Sequence, residues 1–337
     1  MFITKPAYFD QFRCIAGSCP DSCCKEWEVQ VDPLSAQRYR ALPGPLGDRL
    51  RQVLRDEDGE TVMTIENSRC PMWRSDGLCR IQAELGEGAL CRTCREFPRL
   101  THDYGDFQEL QLELSCPEAA RILLSAPPAE PITLEVPGGE DPEYDEEAMA
   151  VLKATRQQFL AILADRSRPL GESLSLALLY GCQAQDQLDG ADPLPPDSEA
   201  DLETARSLAK PGSLTQTAAF FSGLEILTDN WRARLSGPLC PTLNDGCRAL
   251  ARYLTERYWL QAVSDYDLYS RVKFIVISCI LVSALGGDFT ETAQLWSKEI
   301  ENNADNVEAI LDAAYAHSAF TDDKLLGILL DAQMPLL

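Results

Sequence analysis

The sequence predicts a mainly α protein, with a small irregular α+β cysteine-rich module at its N-terminal end and a helical C-terminal part. Three observations lead there. Nine of the 13 cysteines fall before residue 117. Beyond residue 146, apolar residues recur at steps of three and four, the period of a helix with one buried face. Between the two, residues 125–145 hold five prolines, the adjacent glycines Gly138 and Gly139 and an acidic run, a composition that turns readily and buries little. The reading is a cysteine-rich module over residues 1–124, an acidic Pro/Gly connection over 125–145, and a helical domain over 146–337.

In the module, Trp27-Glu-Val-Gln-Val-Asp32 and Val62-Met-Thr-Ile65 read as short strands. Leu110, Leu112 and Leu114 alternate with polar residues, and Asp103-Tyr-Gly-Asp106 before them is suited to turning a hairpin. In the helical part, Ala148, Val151, Leu152, Phe159, Ile162 and Leu163 share one face. Phe289, Ala293, Trp296 and Ile300 repeat at 4, 3, 4 behind Asp288, an N-cap with Glu291 placed for a capping box. Val307, Ile310, Leu311 and Ala314 form a further stripe. About eight helices are expected from Glu146 onward. The greasiest run, Phe274 to Leu285, is about half of the ~20 residues a membrane span requires, so it reads as a buried helix.

The chain of 337 residues carries 30 basic and 53 acidic side chains, a formal charge of −23, shared as −6 over residues 1–120 and −17 over the rest. That balance argues against a nucleic-acid surface, which needs clustered Lys and Arg. An apolar content of 45% excludes a wholly disordered chain. Met1 to Asp10 has no apolar core of signal-peptide length. The expected location is the cytoplasm, with no membrane partner.

In a reducing compartment disulfides are improbable, which leaves small buried thiols or metal ligation. The cysteines come in groups: Cys14, Cys19, Cys23 and Cys24; Cys70 and Cys79; Cys91-Arg-Thr-Cys94; and Cys116. With only His102 and His317 in the chain, a metal site here is all-thiolate. One clean Cys-x-x-Cys pair is fewer than a zinc ribbon presents, while Arg80, Arg92, Arg95 and Arg99 can offset thiolate charge around either metal. Spacing leaves iron–sulfur and zinc both open. Cys182, Cys240, Cys247 and Cys279 are scattered and read as structural. Tyr8, Trp27 and Trp73 flank cysteines and read as shields of a metal site.

These motifs resemble a family. Cys14…Cys19…Cys23-Cys24-Lys-Glu-Trp27, Cys70-Pro…Asp76-Gly-Leu-Cys79-Arg-Ile-Gln, Leu85-Gly-Glu…Thr93-Cys94-Arg-Glu-Phe-Pro-Arg99 and Leu114-Ser-Cys-Pro-Glu-Ala-Ala-Arg121 run in the order of the flagellin lysine-N-methylases. These belong to the wider group with a CxxCxxCC-type metal-chelating region. Gln294-Leu-Trp-Ser-Lys-Glu-Ile-Glu-Asn302 is a weaker echo, ending in Asn302-Asn303 where a histidine is expected. The resemblance implies a [4Fe-4S] cluster and methyl transfer from S-adenosylmethionine to lysines of a flagellin-like protein substrate. It marks Cys14, Cys19, Cys23, Cys24, Cys70, Cys79, Cys94 and Cys116 as metal ligands, with Cys91 ranked lower.

The residues alone say little about methyl transfer. Glu84-Leu-Gly-Glu-Gly88 superficially matches a cofactor loop, yet no strand–helix alternation surrounds it, and it reads as a turn. Cys19 and Cys23 begin a radical-type Cys-x3-Cys-x2-Cys, but position 26 is Glu26. The sequence singles out no catalytic or S-adenosylmethionine-binding residue. The alternative to an enzyme is a zinc- or iron–sulfur-stabilised protein-binding or redox-sensing module.

Overall fold

The greasy run becomes the helix around which the others pack. Leu268–Ala284 starts at Asp267, whose carboxylate accepts from Ser270 N, and every residue of it except Tyr269 is buried. A helix apolar all round must sit inside other helices. It packs against Leu170–Leu188, Asp245–Tyr258 and Ala304–Ala316. The computed structural model describes residues 1–21, 23, 29–57, 59–66, 69–194 and 198–332. Among them are fifteen α-helices, ten from Glu146 onward; the excess over eight comes from short helices such as Asp229–Leu235, too brief to show a period. None is long and apolar enough to cross a membrane.

The expected N-cap forms. Phe289–Ile300 forms one helix, with the Asp288 carboxylate accepting from Glu291 N at 3.0 Å. Ala304–Ala316 carries the next stripe, and Glu146–Ala164 the first.

Among the described residues, seven strands make two small sheets: β1 (Phe2–Lys5), β2 (Val29–Gln30), β3 (Leu54–Glu57), β4 (Glu60–Met63), β5 (Arg99–Asp103), β6 (Phe107–Leu112) and β7 (Ile132–Glu135). One sheet has the order β5-β6-β1-β7, with β1 parallel to β6 and its other pairings antiparallel; the other is β2-β4-β3. The expected hairpin joins β5 to β6: Gly105 takes φ +88°, and its N–H donates to Asp103 at 3.0 Å. Of the strand expected over residues 27–32, only Val29–Gln30 is strand, and residues 27–28 lie outside the described set. The expected strand at 62–65 lies slightly earlier, at Glu60–Met63.

β7 lies in the segment read as a connection, pairing antiparallel with β1 from Phe2↔Glu135 to Lys5↔Ile132. All four of its residues are exposed, so no buried face marks it in the sequence. The module feeds two cores. Val29, Val31, Tyr39, Leu50, Met63, Met72, Ile81 and Leu90 form a small one with Cys70 and Cys91. Phe9, Phe12, Leu112, Leu114 and Leu123 instead join the large helical core.

Two helices cross closely at Gly181, where a Cβ would stand 2.5 Å from Val272 Cγ1. Gly181→Ala should therefore destabilise the fold by about 1–3 kcal/mol despite its better helix propensity. Val272→Ala in the same chain should relieve the clash, so urea midpoints should show the double variant losing less than the two single losses combined.

Candidate metal centre

The front-end thiols converge from four pieces of chain. Among the described residues, six cysteines line a cavity of about 290 Å³: Cys14, Cys19, Cys23, Cys79, Cys94 and Cys116. Cys14, Cys19 and Cys23 lie on the irregular segment after Phe12. Cys79 and Cys116 stand immediately before the helices Arg80–Leu85 and Pro117–Ser125, and Cys94 lies within Arg92–Glu96. Among the described residues no cysteine pair is joined by a disulfide. Nor do three His, Cys, Asp or Glu side chains there meet tightly enough to hold one metal ion. The thiols ring a space instead of meeting at a point.

Electrostatics divides this ring. Burial pushes the Cys116 thiol up to about 11 against the pull of the Ala119 and Glu118 N–H groups, and neighbouring Cys19 and Cys14 push the same way. Burial also raises Cys19. A thiol in that state is protonated at neutral pH, so a metal binding there must displace the proton. Behind the wall, a hydrogen bond from Cys94 draws Cys91 down to about 7, toward the ligating thiolate form. Cys91 lies beneath the wall with its Sγ donating to Gln30 O at 3.9 Å, while Asp32 accepts from Arg92 N. The family pattern ranks Cys91 low; the Cys-x-x-Cys spacing was the signal for its pairing with Cys94. Arg13, Arg95 and Arg99 also line the cavity, which suits several thiolates sharing one space. Arg80 and Arg92 instead face Glu84 and Glu96.

Two sequence-marked residues fall elsewhere. Cys70 is buried in the small core, donating to Met63 Sδ at 3.5 Å, and is not on the cavity wall. Cys24 lies outside the described residues, as does Trp27. Trp73 bridges to Cys79 through the backbone beneath the Arg69 guanidinium, whereas Tyr8 faces a different cavity. The glycine motif at 84–88 joins two short helices and is no cofactor loop after a strand: Gly86, at φ +84°, ends the helix Arg80–Leu85, and a single 3-10 turn follows at Glu87–Ala89. Cys247 and Cys279 donate to each other's carbonyl in the helical core, at 3.7 and 3.8 Å.

The C-terminal echo is docked on the cysteine loop. Gln294 Nε2 donates to Ser115 O at 2.7 Å, beside Cys116, and Lys298 Nζ reaches Asp21, between Cys19 and Cys23, at 3.2 Å. The Glu301 side chain, fully buried, accepts from Tyr258 at 3.1 Å and from Tyr253 at 3.2 Å, and pairs with Arg257 at 3.3 Å. Leu114 N donates to the same Tyr253 hydroxyl. Where a histidine was expected, Asn303 caps the next helix, accepting from Asn306 N and donating to Glu225 at 2.8 Å. A second cavity of about 510 Å³, lined by Thr228, Arg234, Glu291, Gln294 and Lys298, shares Asp21 and Pro117 with the thiol cavity.

Comparison with known proteins returns three relatives. The flagellar biosynthetic protein FliU of Salmonella muenchen is 33% identical over 134 residues, covering 38% of this chain and 79% of that protein. Lysine-N-methylases of Salmonella typhimurium and Salmonella choleraesuis are 33% identical over 134 residues as well, and the chain spans about a third of their length. No family model matches, and no solved structure matches. The chain belongs to the family of FliU and these lysine-N-methylases.

Glu301 tests the docking. Glu301→Ala leaves Arg257 buried without its counter-charge and should cost about 3–5 kcal/mol, read as a lowered thermal midpoint. Glu301→Gln, which keeps an acceptor for the two tyrosines, should cost less.

Proposed function

We propose that this member of the FliU and lysine-N-methylase family is a protein-lysine N-methyltransferase. It would take its methyl group from S-adenosylmethionine, carry a cysteine-ligated [4Fe-4S] cluster and act on a flagellin-like substrate with exposed lysines. Kinship with proteins named lysine-N-methylase supports the transferase. The observation that carries the metal centre is the ring of six thiols on one cavity.

The donor set fits such a group in kind, being soft, thiol-only and flanked by arginines. Either metal takes about four such thiolates, and it is the family resemblance that favours a cluster over zinc. Cys14, Cys19, Cys23, Cys79, Cys94 and Cys116 are the residues that would hold it, with Cys24 next in the chain. When bound, the cluster would supply binding free energy that is also folding free energy for the module.

For transfer itself, a lysine amine must first lose its proton and then attack the sulfonium methyl in line. The carbon–sulfur bond breaks, and a neutral thioether leaves. The chain must supply a proton acceptor and a dry, oriented pocket.

Anaerobically purified protein should be brown, with iron and sulfide in stoichiometric amounts; a colourless protein carrying zinc would remove the cluster from the proposal. Substituting Cys23, Cys79 or Cys94 with Ser should release metal and destabilise residues 1–121, while Cys182→Ser and Cys279→Ser should leave metal content unchanged. Labelled S-adenosylmethionine with flagellin should yield labelled lysine. Metal-loaded protein that labels no lysine on any candidate substrate would favour the binding or sensing module instead.

A further inference from the structure

A third cavity lies away from the thiols and carries uncompensated chemistry. It has a volume of about 350 Å³ and opens between β1, β6, the segment at 126–131 and the helices Glu146–Ala164 and Asp245–Tyr258. Three buried polar atoms on its wall have no hydrogen-bond partner among the described residues: the Tyr8 hydroxyl, Gln111 Oε1 and Arg252 Nε. Tyr8 is 5% exposed and Gln111 3%. Orphaned polar groups at such depth cost roughly 1–3 kcal/mol each, and native proteins rarely leave them so. Their agreement on one cavity marks a place built to hold something.

The charges say what kind of thing. Arg156 and Glu109 are locked together by two hydrogen bonds, at 2.7 and 2.6 Å. Lys5 is engaged by Asp10 and Arg121 by Glu118. Arg252 and Glu256 face each other across 3.9 Å, too far for a hydrogen bond. Burial and the neighbouring Glu109 push the Glu256 carboxyl up to about 7 in spite of Arg252 and Arg156. A plain anion would meet Glu109 and Glu256, and a plain cation would meet two guanidinium groups. A ligand with one pole of each sign satisfies both, and Leu110, Ile122, Pro127 and Leu160 offer apolar wall for its body.

We infer that this cavity is a binding site for a zwitterionic α-amino-acid headgroup, its carboxylate on Arg252 and its ammonium on Glu256 and Gln111 Oε1. The Tyr8 hydroxyl is free to donate to the first or accept from the second. Two sources carry this headgroup: a free amino acid, and an S-adenosyl amino acid such as the methyl donor of the proposed reaction. The site follows from the pocket's own charges and does not depend on the methylase reading.

Titration calorimetry of the full chain with methionine and with S-adenosylhomocysteine tests it. At least one should bind, and the N-acetyl and carboxamide forms of whichever binds, each lacking one pole, should bind about tenfold or more weaker, the loss expected when one charge-assisted bond is removed. S-adenosylhomocysteine alone binding assigns the nucleoside-bearing source; methionine binding as tightly assigns a free amino acid. Glu256→Gln and Tyr8→Phe should weaken the bound ligand with little change in the unliganded melting point. If either variant fails to fold, the blocked ligands on the unaltered chain decide alone. Binding indifferent to blocking, or none by either probe at millimolar concentration, overturns the inference. Zwitterion binding without lysine labelling leaves this site standing and removes the methylase. Lysine labelling by a chain whose Glu256→Gln form keeps its KM for S-adenosylmethionine removes the methyl donor from this cavity and leaves the methylase; the site is then overturned as well unless methionine binds the unaltered chain and Glu256→Gln weakens it.

Discussion

Buried charge must be paired, and that constraint holds the two ends of this chain together. The Glu301 side chain has no access to water, and that of Arg257 has little, so each depends on the other and on the two tyrosines that donate to the same carboxylate. Because Tyr253 also receives Leu114 N, the network fixes the strand end that leads into Cys116. Three residues back along the same helix, Lys298 pins Asp21. The position of the cysteine loop is thus set by a helix nearly three hundred residues away in sequence, and the form of the thiol cavity follows from it.

The cysteines show how environment sorts one residue type. Cys247 and Cys279 sit in the helical core and bond reciprocally to each other's backbone, the behaviour of small buried residues. Those around the cavity are exposed or half-exposed apart from Cys116, face a space and lie among arginines. Cys70 shows that membership in a sequence motif does not fix which way a thiol faces: its neighbour Met63 draws it into the small core.

Much of this was legible in the sequence, for local reasons. The helix Phe289–Ile300 announces itself through Asp288 and its 4-3-4 stripe, and the β5–β6 hairpin through Gly105, because both signals lie within a few residues of what they specify. β7 was hidden because its side chains all face solvent, leaving only backbone pairing, which prints no pattern. The docking of Gln294 and Lys298 was hidden for another reason. Polar contacts across such a separation carry no periodicity, and an echo of a family motif says that residues matter without saying what they touch. The cavity at Tyr8 was invisible too, since an unsatisfied atom is a property of three dimensions only.

Asp21 and Pro117 stand in a partition between two chambers, one ringed by sulfur and one edged by Arg234 and Lys298. A partition cannot be displaced on one side alone. A shift of Asp21 or Pro117 therefore reshapes the wall of both spaces at once.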